Sequence, residues 1–320
     1  MKSLLPFATI ASCAILTAFA PLRIAVAQKA IPSDAAHDFR TSHSCITCHN
    51  NLKTAKGEDI SFASAWSASM LANAAYDPYW QGSVRRESVD HPEVNSAIQT
   101  ECASCHMPLQ YLRDKAQGHE TQVFSRLPLS GHRDENDAAI EGVTCTVCHQ
   151  IQPKGLGTPE TANGKFTVSP GGTVPRPVFG PFGEAPDRVV AIHLNSSGYA
   201  PKSSTHIRDA ALCGTCHTLY TTAFGPGGKE IGRLPEQMTY LEWQQSSFKE
   251  TKTCQECHMP PVEEQAKIAT AFSTPHDGVH RHTFVGANFF MQQMLNAHHD
   301  ELGVDASTGA LTEAAVRTTA

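Results

Sequence analysis

Residues 142–151 read GVTCTVCHQI, and the five at their centre, Cys145-Thr146-Val147-Cys148-His149, form one of five Cys-x-x-Cys-His units in a chain of 320 residues. The others are CITCH (45–49), CASCH (102–106), CGTCH (213–217) and CQECH (254–258). The cysteines are Cys45 and Cys48, Cys102 and Cys105, Cys145 and Cys148, Cys213 and Cys216, and Cys254 and Cys257. Each pair is closed by a histidine: His49, His106, His149, His217 or His258. Apart from Cys13 near the N-terminus, no cysteine falls outside the set. At this chain's Cys and His frequencies about 0.02 matches would arise by chance, so the unit reads as the c-type haem attachment motif. Two thiols separated by two residues can each add to one vinyl group of the same porphyrin, and the adjacent histidine then lies beneath the iron as its proximal ligand. Disulfides would not require a histidine after every second cysteine, and structural zinc does not repeat this unit so strictly.

Working outward, the motif starts are separated by 57, 43, 68 and 41 residues, with no fixed period, so equal solenoid repeats are excluded. CASCHMP (102–108) and CQECHMP (254–260) are the two most similar sites. Only 40% of residues are hydrophobic and 7% aromatic, lean for a core built from side chains alone. Five c-type haems would supply the missing apolar volume, as metals and disulfides do for small scaffolds.

The N-terminus, Met1-Lys2-Ser3 followed by an apolar run from Leu4 to Ala20 and by Ala25-Val26-Ala27, reads as a secretory leader over 1–27 that carries Cys13 away with it. Its rival, a lipoprotein cleavage box at Ile10-Ala11-Ser12-Cys13, implies a short leader. No later stretch is apolar and long enough to span a bilayer. Export places the mature protein in the periplasm or at the outer surface. Loss of Lys2 and Arg23 leaves 23 basic side chains against 31 acidic ones, and no basic run or helix face remains. Nucleic acid is thereby disfavoured as a partner.

The expected organisation is a pentahaem domain over 28–302 and a helical tail over 303–320 that has no stop signal. The expected fold is mainly α with much irregular loop and little β, a multihaem cytochrome c architecture with a haem-filled core. Phe62, Trp66 and Met70, spaced by four, predict a helix over 61–76 closed by Pro78. Further helices are expected over 79–89, from Glu93 into the second motif with Pro92 in the first turn, over 236–248, and over 288–302. Residues 153–187, with seven prolines and seven glycines, predict a long irregular excursion with a short strand near 165–168.

Seventeen histidines minus five proximal ones leave twelve for the opposite faces of the irons. Iron capped on both faces suits electron transfer, and an open face permits substrate binding. His206, seven residues before Cys213, and His282, ahead of a helix, are the leading distal candidates. His91, His132 and Met70 follow. For each histidine the alternative is a solvated loop residue, and for Met70 it is apolar packing. His276, His280, His298 and His299 are too clustered for all to serve.

The segments SMLANAAYDPYW (69–80), CASCHMP, GVTCTVCHQI, HIRDAALCGTCHTLYT (206–221), CQECHMPP (254–261) and HTFVGANFFMQQML (282–295) together resemble multihaem c-type cytochromes of the broad cytochrome c554-like group. The resemblance covers most of residues 60–302. It implies a mostly helical fold with haems in close stacked or perpendicular pairs, and several relatives carry His where this chain has Met70. Similar chains continue into a further domain. No Cys-x-x-Cys-Lys occurs, which disfavours the ammonia-forming nitrite reductases. The expected activity is electron transfer through five haems. The alternatives are a small oxidoreductase with one open haem and a subunit of an extracellular cytochrome filament. The expected partners are redox proteins, either other cytochromes or a quinol-linked membrane complex, with self-assembly in the filament case.

Overall fold

The computed structural model describes residues 39–127, 138–169 and 175–319. Of these residues 43% are helical and 11% are in strands or bridges. The leader and His132 lie outside the described residues.

The helices are short and are stopped by their own side chains. The one expected over 61–76 runs only Phe62–Ser67. Ser69 Oγ donates to the Trp66 carbonyl at 2.6 Å, and the Asn73 side-chain amide donates to the carbonyls of Ser67 and Ser69 at 2.8 Å each. These bonds take up carbonyls that a continuing helix would need, and the chain turns away. Met70 therefore leaves the Phe62–Trp66 stripe. Pro78 opens the next helix, Pro78–Asp90, where Asp77 accepts from the amides of Tyr79 and Trp80. A 3₁₀ turn, Pro92–Val94, leads into the helix Asn95–His106, whose last turn is the second motif.

Two small sheets were not expected. Strand β1, Arg176–Gly180, pairs in parallel with β2, Tyr199–Ser203, across the helix Asp187–Ser197. Strands β3, Leu219–Phe224, and β4, Glu230–Gln237, form an antiparallel hairpin. No strand forms over the described residues 165–168, where the Lys165 amide donates to the Ala162 carbonyl and the Thr167 carbonyl accepts from the Gln152 amide. The helix expected over 236–248 is shorter, Thr239–Gln245, because β4 uses its first residues.

Apolar packing is divided among five clusters, none with more than eight buried residues. One of them joins Tyr76 and Ile140 to Leu295, Leu311 and Ala314, so the helices Phe289–Ala297 and Thr308–Thr319 pack on the turn that follows Trp66. Motif residues enter three of the others: Val147 and Cys216 in one, Cys102 in a second, Cys254 in a third. No helix among the described residues is long and apolar enough to cross a membrane.

The approach to the third motif requires Gly142. Its φ is +58°, and an added Cβ would lie 2.4 Å from the Leu71 carbonyl oxygen, which already accepts from the Val143 amide at 2.9 Å. Gly142→Ala should lower stability by at least about 2 kcal/mol through left-handed strain and that clash. Gly82, in the Pro78–Asp90 helix with open space at its Cβ position, is the control: Gly82→Ala should stabilise by about 0.5–1 kcal/mol. Denaturant midpoints that move the same way for both variants would contradict this.

Candidate haem-binding site

Each Cys-x-x-Cys-His unit forms one helical turn. The histidine amide donates to the first cysteine's carbonyl at 3.1 Å in the first motif and 3.0 Å in the third and fourth. The second and fifth lie in the helices Asn95–His106 and Cys254–His258. Residues i and i+3 share a helix face, so both thiols of a motif point to one side and the histidine at i+4 stands above the first. The preceding residue caps two of the turns, Thr144 and, in a capping box with Glu256, Thr253, while Asp209 caps the helix Ala210–Gly214 that leads into the fourth motif.

Specific side chains draw the motifs together. Ser42 donates through its amide and hydroxyl to Glu141, and the Thr146 hydroxyl donates to the Arg40 carbonyl, joining the first motif to the third. Cys45 accordingly hydrogen-bonds Cys145, which lowers the Cys45 thiol pKa and raises that of Cys145. Cys148, pushed up to about 11 by burial, is close enough to both Cys213 and Cys216 to raise their pKa values further. Asn163 donates to Glu101 and to the Tyr220 carbonyl, and Gly164 donates to Thr215, wedging this turn between the second and fourth motifs where Cys105 bonds Cys216. The Gln255 amide donates to the carbonyls of Ile207 and Asp209 and so holds the fifth motif to the fourth, where Cys213 meets Cys254.

The motif histidines share a second feature. In His49, Nδ1 bonds the carbonyl of Ile268 at 2.7 Å, and in His106 that of Ala74 at 3.3 Å. In His149 it bonds Phe179 at 2.6 Å, and in His258 Val285 at 2.5 Å. A carbonyl only accepts, so each Nδ1 carries the proton and Nε2 keeps its lone pair, the tautomer a metal requires. Burial lowers the pKa of His49, His106, His149 and His217, which holds them in the neutral form that can ligate.

The other candidates separate on the same criterion. His282 Nδ1 bonds the His280 carbonyl at 3.1 Å, and burial, reinforced by His149, pushes its pKa down to about 3. Its ring lies 6.3 Å from that of His149. His206 is buried but has both nitrogens engaged: Nε2 donates to the Ile151 carbonyl at 2.8 Å, and Nδ1 accepts from the Ser204 hydroxyl at 2.6 Å. Ligation there would require Nε2 to give up Ile151. His91 caps the end of the Pro78–Asp90 helix, 4.0 Å from Glu87. Met70, half-buried, packs on the Tyr76–Leu295–Leu311 cluster. Two histidines that composition could not rank stand out. His193 in the Asp187–Ser197 helix has its ring 5.9 Å from that of His49, and His280 Nδ1 bonds the Met259 carbonyl.

These residues fit haem on three counts: paired thiols on one face, histidines in the metal-ready tautomer, and a buried His193 Nδ1 with no hydrogen-bond partner among the described residues. Trp80 lies flat on His106, and Phe62 stacks beside His49 and against His282, so apolar rings surround the sites. No group of three or more His, Cys, Asp or Glu side chains suited to a bare metal ion occurs among the described residues. No family model, curated protein or solved structure matches the chain.

Gly214, a variable position of the fourth motif, has the Tyr240 ring against it, and an added Cβ would fall 2.7 Å from that ring. Gly214→Ala should cost about 1–3 kcal/mol by overpacking. In a Tyr240→Leu background the same change should cost at least about 1 kcal/mol less, because the pair shares one contact. Additive thermal midpoints would show that Tyr240 is not the obstacle.

Proposed function

We propose that this chain is an exported pentahaem c-type cytochrome that passes electrons through five covalently attached haems. The observation that carries the reading is the tautomer pattern: four of the five motif histidines donate Nδ1–H to a backbone carbonyl and keep Nε2 as the free base. A histidine placed only for packing has no need of an arrangement that recurs at four sites, whereas an axial ligand does.

The residue roles follow from this. The ten motif thiols would hold five haems, each S–H adding across one vinyl group with the sulfur on one carbon and the hydrogen on the other. The motif histidines would ligate through Nε2, and the carbonyls of Ile268, Ala74, Phe179 and Val285 hold four of their rings in orientation. Trp80, Phe62 and Phe179 exclude water from the sites. Bound haem supplies a one-electron ferric/ferrous couple whose potential is set by the axial ligands and the surroundings. The contacts between motifs favour a branched relay, in which the first motif adjoins the third, the third adjoins the fourth, and the fourth adjoins both the second and the fifth. The leader in the sequence favours the periplasm or outer surface, and the acidic balance favours a neutral or basic redox partner.

An oxidoreductase with one open haem is the second reading. It is favoured by the finding that, among the described residues, ring contact with a second imidazole occurs only at His49 and His149 of the motif histidines. Protein matured with haem-attachment machinery should show five covalent haem additions by intact mass. Four or fewer at clean occupancy would sink the pentahaem reading. Low-temperature EPR with CO titration then separates the two functions. All haems low-spin and CO-inert fits electron transfer, and a high-spin ferric signal with CO uptake by the reduced protein fits the enzyme.

A further inference from the structure

Two ring geometries pair particular histidines. His149 and His282 have ring centroids 6.3 Å apart and planes 8° from parallel. Two imidazoles on opposite faces of one metal ion, with bonds of about 2 Å each, have centroids roughly 6 Å apart. Both histidines give Nδ1 to a carbonyl, Phe179 for His149 and His280 for His282, so both keep Nε2 for a metal. His49 and His193 have centroids 5.9 Å apart at 58°. His49 gives Nδ1 to Ile268, and His193 Nδ1 is buried with no hydrogen-bond partner among the described residues, an arrangement that is costly unless another group uses the ring. Phe62 lies 4.5 Å from His282 and 6.3 Å from His49, so its ring stands beside both.

We propose that His282 is the sixth ligand of the haem on Cys145 and Cys148, trans to His149, and that His193 is the sixth ligand of the haem on Cys45 and Cys48, trans to His49. The assignment rests on the haem reading and adds to it which histidine serves which iron. The third motif then takes its second ligand from beyond the fifth, 133 residues downstream in the numbering, and the first takes its own from the helix Asp187–Ser197. His206, with both nitrogens engaged, is not required for either iron.

The test uses the full chain matured with haem. His282→Ala and His193→Ala should each keep five covalent haems by mass, convert one low-spin haem to a high-spin form that binds CO when reduced, and respond to added imidazole by returning to low spin. The double variant should convert two. His206→Ala should convert none. Pairing is read by adding His282→Ala to a Cys145→Ala/Cys148→Ala variant, which carries four haems. Because the iron served by His282 is then absent, no CO-binding haem should appear; if the cysteine variant fails to fold, His149→Ala/His282→Ala should open one haem to CO, as His149→Ala alone does, and not two. Single variants that keep five low-spin, CO-inert haems overturn the assignment and leave the haem reading standing. A new CO-binding haem in the four-haem background overturns the trans pairing of His149 with His282. Wild-type protein that takes up no covalent haem overturns the underlying reading instead.

Discussion

The hydrogen bond from a motif histidine's Nδ1 to a distant backbone carbonyl is the constraint on which this architecture turns. It fixes the tautomer and holds the ring plane, and because the carbonyl belongs to another segment it also decides which parts of the chain must meet. Ile268 reaches back to His49, Ala74 reaches forward to His106, and Phe179 and Val285 arrive from the segments that follow their own motifs. The helices between are short because their task is to deliver these carbonyls. Ser69 and Asn73 stop the Phe62–Ser67 helix, and the turn they create is the one that presents Ala74.

Small side chains and turns set the spacing between motifs. Gly142 lets the third motif pass within contact of the Leu71 carbonyl, and Gly214 lets the Tyr240 ring lie against the fourth. Asn163 and Gly164, both with positive φ, wedge between the second and fourth. The apolar clusters are correspondingly small, and three of the five include motif residues.

The five Cys-x-x-Cys-His units were legible in the sequence because a fixed five-residue pattern recurs and Cys13 is the one cysteine outside it. The Pro78–Asp90 helix and the helix entering the second motif were legible from their prolines and caps. Met70 was misplaced because periodicity registers Phe62, Trp66 and Met70 but not the two side chains that halt the helix at Ser67. The hairpin of β3 and β4 was missed although its turn, Gly225-Pro226-Gly227-Gly228, carries a clear breaker pattern. The pairing of β1 with β2 is parallel and crosses an intervening helix, which no local pattern reports. His206 and His282 looked alike in the sequence, since both stand near a helix start. What separates them is which carbonyl each nitrogen finds, a tertiary property. His193 had no distinguishing neighbour in the sequence at all.

The segment His282-Thr283-Phe284-Val285 is held in an uncommon backbone state. Phe284 has φ +47°, a left-handed conformation that aromatic residues rarely adopt. Within four residues it turns the His282 ring towards His149 and offers the Val285 carbonyl to His258. Synthesis runs from the N-terminus, so the first three motifs appear long before this segment and before Ile268, which lies 219 residues from His49. His49 must therefore wait with its ring unfastened until the last third of the chain arrives, and the loop-closure entropy of spanning that distance is met only then. Truncation near the C-terminus would thus reach upstream: a chain cut at residue 260 would retain every motif cysteine and yet leave His49 and His258 without the carbonyls that hold them.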